Sequence, residues 1–238
     1  TDKIKIFNGT DWVWTVVKFK SQDLKYLNKY WSGKKAKAPV LEYSYGKYSL
    51  RFAFEENSKL NKTNIEDQRI LSVDLGINTD ATCSVMDAKG TVYNRIFINA
   101  LYEKDLLLHR INRTKKYQRI HGSKNVQSQW SHINNLNKQI SCIVAKRIVE
   151  TAILYDVDAI VFEHLDIKGK RSQRIHLWRK REIQSITTHQ AHRNGIHVYR
   201  INPKNTSALA YDGSGEVERD EHNYSICKFK SGKIYNCD

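Results

Sequence analysis

A chain of 238 residues can bury one substantial core with a small satellite unit. Its 40 Lys+Arg against 25 Asp+Glu give a net charge of +15 and a pI of about 9.6, which points to a polyanionic partner. Four cysteines (Cys83, Cys142, Cys227, Cys237) without disulfide-rich spacing, and the lack of any apolar run suited to a bilayer or a secretion signal, exclude a disulfide-stapled extracellular module and a membrane protein. A cytoplasmic protein with reduced thiols is expected, and the start at Thr1 without a Met is expected of a piece of something longer.

In chain order, WVWTVVKFK (12–20) and PVLEYSYGKYSLRFAF (39–54) are rich in aromatic and β-branched residues, and Gly46-Lys47 divides the second run into a hairpin. Residues 21–31 read as a helix. The segment 1–57 is thus expected to be a partial β-barrel of the oligonucleotide-binding kind. Trp12, Trp14, Tyr43, Tyr45 and Tyr48 are either stacking platforms or ordinary core. The polar, aperiodic ENSKLNKTNIEDQ supplies a linker, set at 58–68.

From Arg69 three strands follow in succession (ILSVDLGI, TCSVMDA, TVYNRIFI), with turns at Asn78-Thr79 and Lys89-Gly90. A helical insert runs from about 101 to 155 and breaks near His121-Gly122-Ser123. In its second half Trp130, Ile133, Leu136, Ile140, Val144 and Ile148 form a stripe that packs on a sheet. DAIVFEHL (158–165) is nearly continuous in apolar residues, as a parallel strand buried on both faces requires. A basic helix from about 172 to 193 and a strand IHVYRI (196–201) complete an α/β order of three strands, helix, strand, helix, strand. This order resembles the ribonuclease-H-like arrangement, a mixed sheet flanked by basic helices.

The charge is not spread evenly, as mere solubility would allow. Residues 101–150 carry ten basic and three acidic groups, and 167–204 carry ten against one. Residues 69–100 balance at three against three, and 151–166 hold four acids and no base. Carboxylates therefore lie on the strands and cations on the helical stretches, a division suited to phosphodiester chemistry. An Asp inside an apolar strand is costly unless it has a partner, which singles out Asp74. Glu163 closes the later apolar strand and is either its companion or a solvated end. A helical crossover returning to a parallel strand in the same sheet brings these two together, although they stand 89 positions apart. Gly76 leaves room for the backbone to turn beside Asp74. In ribonuclease-H-like folds the third carboxylate comes from a closing helix, and Asp238 stands where such a helix would begin. Oxygen-only ligands favour Mg²⁺ or Mn²⁺, and two such ions serve in-line attack on a phosphodiester.

The motifs VDLGIN, IVFEHLD and NCD, in this order around a basic insert, resemble the RuvC-like nuclease domain of the TnpB family, transposon-encoded RNA-guided nucleases related to the type V CRISPR effectors. The resemblance covers residues 69–238, and PVLEYSYGKYSLRFAFE resembles more loosely the family's wedge barrel. It implies guide RNA and target DNA as partners, cleavage of DNA at one RuvC site, Mg²⁺ dependence, and Asp74, Glu163 and Asp238 as the metal ligands. It implies no small-molecule cofactor. Of the two Cys-x-x-Cys pairs of the family's zinc finger, the first falls on Ala210 and Gly213, and Cys227 and Cys237 with nearby His222 do not supply four ligands in paired spacing, so the region 205–237 is expected to be a degenerate hairpin (Tyr224–Asn236) without zinc.

Phosphate contacts are expected from Lys168, Lys170, Arg171, Arg174, Arg179, Lys180 and Arg181, and from Arg113, Lys115 and Lys116; a solvated basic face is the alternative. Two other functions share the pattern: a nuclease-inactive RNA-guided repressor and a conventional transposase with an acidic triad.

Overall fold

The computed structural model describes residues 3–44, 46–122, 126–164, 179–203, 208–210, 213–222 and 226–236. The chain divides into two compact units, Thr1–Asn57 and Ser58–Asp238.

In the first unit β1 (Lys3–Phe7) pairs antiparallel with β2 (Trp12–Val16), and helix α1 (Ser21–Trp31) follows. β3 (Lys35–Ala36) pairs with β6 (Phe54–Glu55), enclosing the hairpin of β4 (Val40–Ser44) and β5 (Lys47–Arg51) that Gly46 turns at φ +73°. Where a partial barrel is expected, the strands among the described residues pair two by two, and no strand joins one ribbon to the next. Trp12, Trp14, Tyr43 and Tyr48 are all exposed, so the core reading of these aromatics does not hold within this unit; Tyr45 lies outside the described residues.

The second unit is built on a five-stranded mixed sheet of order β11-β10-β7-β8-β9, with β7 (Arg69–Asp74), β8 (Ala81–Asp87), β9 (Val92–Ile98), β10 (Ala159–Glu163) and β11 (His197–Ile201). β7, β8 and β9 form an antiparallel meander, whereas β10 lies parallel to both β7 and β11. The crossovers are helical: α2 (Leu101–His121) and α3 (Gln127–Leu154) between β9 and β10, then α4 (Lys180–Arg193) before β11. The insert breaks where expected, Gly122 adopting φ +73° after α2.

Period-two burial explains which face the helices cover. Leu71 and Val73 of β7, Ala81, Cys83 and Val85 of β8, and Ile160 and Phe162 of β10 are buried against Ile133, Ile140, Val144 and Ile148 of α3, with Ile183 of α4 in the same cluster. Burial on this scale is the main stabilising term of the unit. The opposite face is more open, with Phe97 and Tyr199 exposed.

The segment 58–68, expected to be a linker, is tied to the second unit: Asn61 N donates to Gly195 O at 2.7 Å, and Thr63 Oγ1 donates to Asp158. Asp158 also accepts from Arg69 N at 2.9 Å, so one buried carboxylate joins the segment to the start of β7. Beyond β11, β12 (Glu218–Arg219), β13 (Ile226–Lys228) and β14 (Ile234–Asn236) make a small antiparallel sheet in which Cys227 is buried beside Ala210 and Phe229. No helix among the described residues is long and apolar enough to cross a membrane.

Candidate active site

β7 and β10 end together. Their parallel register runs from Ala159 beside Ile70 to Phe162 beside Val73, and one further step sets Glu163 beside Asp74. Leu71, Val73, Ile160 and Phe162 take the buried face, so alternation puts both carboxylates on the other. Both are half-buried, and strands in such a pair stand about 4.8 Å apart. Two carboxylates at that spacing repel each other unless a cation lies between them, and their oxygens suit a hard one. Asp74 and Glu163 thus stand one residue beyond the last paired positions of neighbouring strands, Val73 and Phe162.

The backbone at both strand ends is fixed by polar contacts. Gln184 of α4, itself buried, donates its side-chain amide to Glu163 O at 3.0 Å, and His164 N continues the ladder to Ile201 O at 2.8 Å. After Asp74 the chain turns tightly: a Cβ on Gly76 would lie 2.7 Å from Thr79 O, a backbone atom that has no rotamer by which to escape. The turn ends at Asp80, whose buried carboxylate accepts from Ala100 N at 2.7 Å and whose other oxygen lies 3.1 Å from Lys104 Nζ.

Sequence reasoning missed Gln184, Asp80 and Lys104. Their contacts lie 20 or more residues away along the chain and are mostly to backbone groups, so nothing beside Gln184 or Lys104 marks them. The one available signal was Asp80, an acid directly before a buried strand.

The other site expectations fare differently. Asp238, Lys168, Lys170, Arg171 and Arg174 lie outside the described residues. Arg113, Lys115 and Lys116 are exposed on α2, whose Ile111 and Thr114 turn inward. Arg181 is exposed on α4. Arg179 is half-buried and ion-paired with Glu182 at 2.9 Å, which in turn accepts from Ser141 Oγ at 3.2 Å on α3. Lys180 corrects the expectation of a phosphate-contacting surface: it is only 7% exposed, because the start of α4 turns it inward. Among the described residues no group of three or more His, Cys, Asp or Glu is arranged to hold a metal ion. Burial pushes the Cys83 thiol up to about 12, so Cys83 is a core residue and offers no thiolate.

No family model matches the chain. In sequence it is similar to the TnpB-like protein aq_aa05 of Aquifex aeolicus (strain VF5), 24% identical over 197 residues, covering 71% of this chain and 63% of the relative. In fold it is similar to Cas12f1 from a cryo-EM complex with sgRNA and target DNA, with a TM-score of 0.56 at 18% identity, covering 81% of this chain and 41% of that one. A CRISPR-Cas12f ternary complex matches with a TM-score of 0.55 at 14% identity, over 100% of this chain and 49% of that one. The chain therefore spans between two fifths and two thirds of the length of these relatives.

Proposed function

From the premise that this chain resembles the TnpB family in sequence and Cas12f effectors in fold, we propose that it is the nuclease portion of a transposon-associated, RNA-guided DNA endonuclease. Its five-stranded sheet is then ribonuclease-H-like, with the RuvC-type site at the joint end of β7 and β10. The observation that supports this reading is the parallel register of β7 and β10, which runs to Phe162 beside Val73, one residue short of Glu163 and Asp74.

Asp74 and Glu163 would hold Mg²⁺ or Mn²⁺, with Asp238 as a third ligand, and the all-oxygen donor set fits a hard cation. Bound as a pair, such ions supply Lewis-acid activation of the attacking water and neutralise charge on the leaving oxygen. The chain's own residues do the rest. The carboxylates repel a bare phosphate backbone, so the exposed cations Arg113, Lys115, Lys116 and Arg181 must gather it. Sequence is read by pairing between guide RNA and target DNA, and the protein holds the duplex by its backbone.

The test is cleavage by the full-length protein carrying its copurified RNA, in Mg²⁺. Asp74→Ala is expected to lower the rate by roughly 10³-fold or more, equivalent to about 4 kcal/mol, with nucleic-acid affinity changed by less than about twofold because phosphate binding resides elsewhere. Retained cutting by that variant sinks the assignment. Copurified RNA with no cleavage by the parent protein would favour the repressor, and strand-transfer products without RNA the conventional transposase.

A further inference from the structure

The turn after Asp74 is held from outside itself. Lys104, in the first turn of α2, donates to Ile77 O at 3.0 Å and Asn78 O at 2.7 Å, and its ammonium lies 3.1 Å from an Asp80 oxygen. The ammonium thus makes two hydrogen bonds to backbone carbonyls and one ion pair. Asp80 is itself anchored. Asp80 takes Ala100 N at 2.7 Å, Asp80 N donates to the Asn99 side chain at 3.1 Å, and Arg147 of α3 donates to Asn99 O at 2.8 Å. Apolar packing holds the start of the turn, at Leu75, but not its middle. Behind the turn lies a cleft of about 420 Å³ bordered by Ile77, Leu107, Ile111, Ile140 and Ile183. Leu75 and Ala81 anchor the two ends of the turn in the core, while its middle, at Ile77 and Asn78, borders the cleft and relies on polar contacts for a single conformation.

We infer that Lys104 is a positioning residue for the carboxylate site: its ammonium clamps the Leu75–Asp80 turn and so fixes the direction in which Asp74 leaves the end of β7. The inference rests on reading Asp74 as a metal-holding residue. Lys104 acts through the backbone of the turn, as groups that orient metal ligands from behind commonly do. Gly76 serves the same turn from within, by admitting the close approach of Thr79 O.

The experiment compares Lys104→Met, Lys104→Arg and Asp74→Ala in the full-length protein with its copurified RNA. Three quantities are measured: cleavage rate across a Mg²⁺ titration, hydrogen exchange of a peptide spanning 74–81 in metal-free protein, and Tm. Lys104→Met is expected to shift the Mg²⁺ dependence upward or lower the cleavage rate by about 10–100-fold, and to speed exchange across 74–81 without metal. Lys104→Arg keeps the charge, but its planar fork cannot converge on three neighbouring oxygens. It is expected to show the same changes in smaller measure, with Tm near the parent value, so the result stands even if the Met variant unfolds. Parental exchange and Mg²⁺ dependence in Lys104→Met, with Asp74→Ala inactive, overturn the clamp and leave the nuclease reading intact. Full parental behaviour in Lys104→Arg assigns the effect to charge alone and also overturns it. Cleavage that survives Asp74→Ala removes the reading on which the clamp depends.

Discussion

The two units use similar residues to opposite effect. Residues 1–57 contain 12 of the chain's 25 aromatic side chains, yet none of the described residues there is buried, whereas the second unit buries an apolar cluster running from Leu71 to Ile196. The difference lies in what covers the strands. A two-stranded ribbon exposes both faces and is marginal alone, and the first unit consists of three such ribbons and a helix with no buried residue. It is held by local contacts such as Trp31 stacked on Phe54 at 4.9 Å and the Lys37–Glu55 pair at 2.8 Å. In the second unit five strands share one sheet, and α3 lays an apolar stripe along it. Aromatic and β-branched composition makes strands, but a core requires a partner layer.

This contrast can be broken by substitution. The largest stability effect is expected at Phe162, fully buried between β7 and β11: Phe162→Ala should cost about 3–5 kcal/mol, read by urea titration. A smaller, pH-dependent effect is expected from Cys83. Its folded thiol is raised from the usual 9.0 to about 12 by burial, so the native state holds its proton more tightly than the unfolded chain. The contribution is fully present below pH 9 and is lost as pH rises toward about 12. Cys83→Val should flatten the stability profile across that window, and at pH 8 a thiol reagent should label exposed Cys142 but not Cys83 in the folded protein. The smallest effect is expected in the first unit: Trp14→Ala, at a side chain 64% exposed, should stay within about 0.5 kcal/mol. A loss at Trp14 matching that at Phe162 would show that the first unit does bury its aromatics, and the contrast would fail.

Much of the second unit was legible. Alternation in ILSVDLGI and TCSVMDA, the apolar run DAIVFE, and the stripe from Ile133 to Ile148 each state a period that the backbone follows, because burial on one face of a strand or helix repeats at two or at three to four residues. The helix break at Gly122 and the hairpin at Gly46 were equally plain, since glycine alone adopts a positive φ without strain. How the first unit's strands are covered was not legible, because period two shows that a residue faces something and cannot say whether that something is present. Lys180 misled for a related reason: a run of basic residues reads as a surface, and only the packing of α4 decides which one turns inward.

The sequence by itself determined that Asp74 interrupts an apolar strand, that Glu163 closes another, and that positive charge flanks both, since each is a property of neighbouring residues. Only the tertiary structure decided that β7 and β10 pair in parallel with Phe162 beside Val73, because register between strands 89 positions apart is set by the whole crossover. It alone also decided that Lys104 grips the turn between β7 and the next strand. Every residue carries a carbonyl, so a side chain that binds backbone oxygens leaves no pattern in sequence; its partners exist only once the fold has brought them within 3 Å.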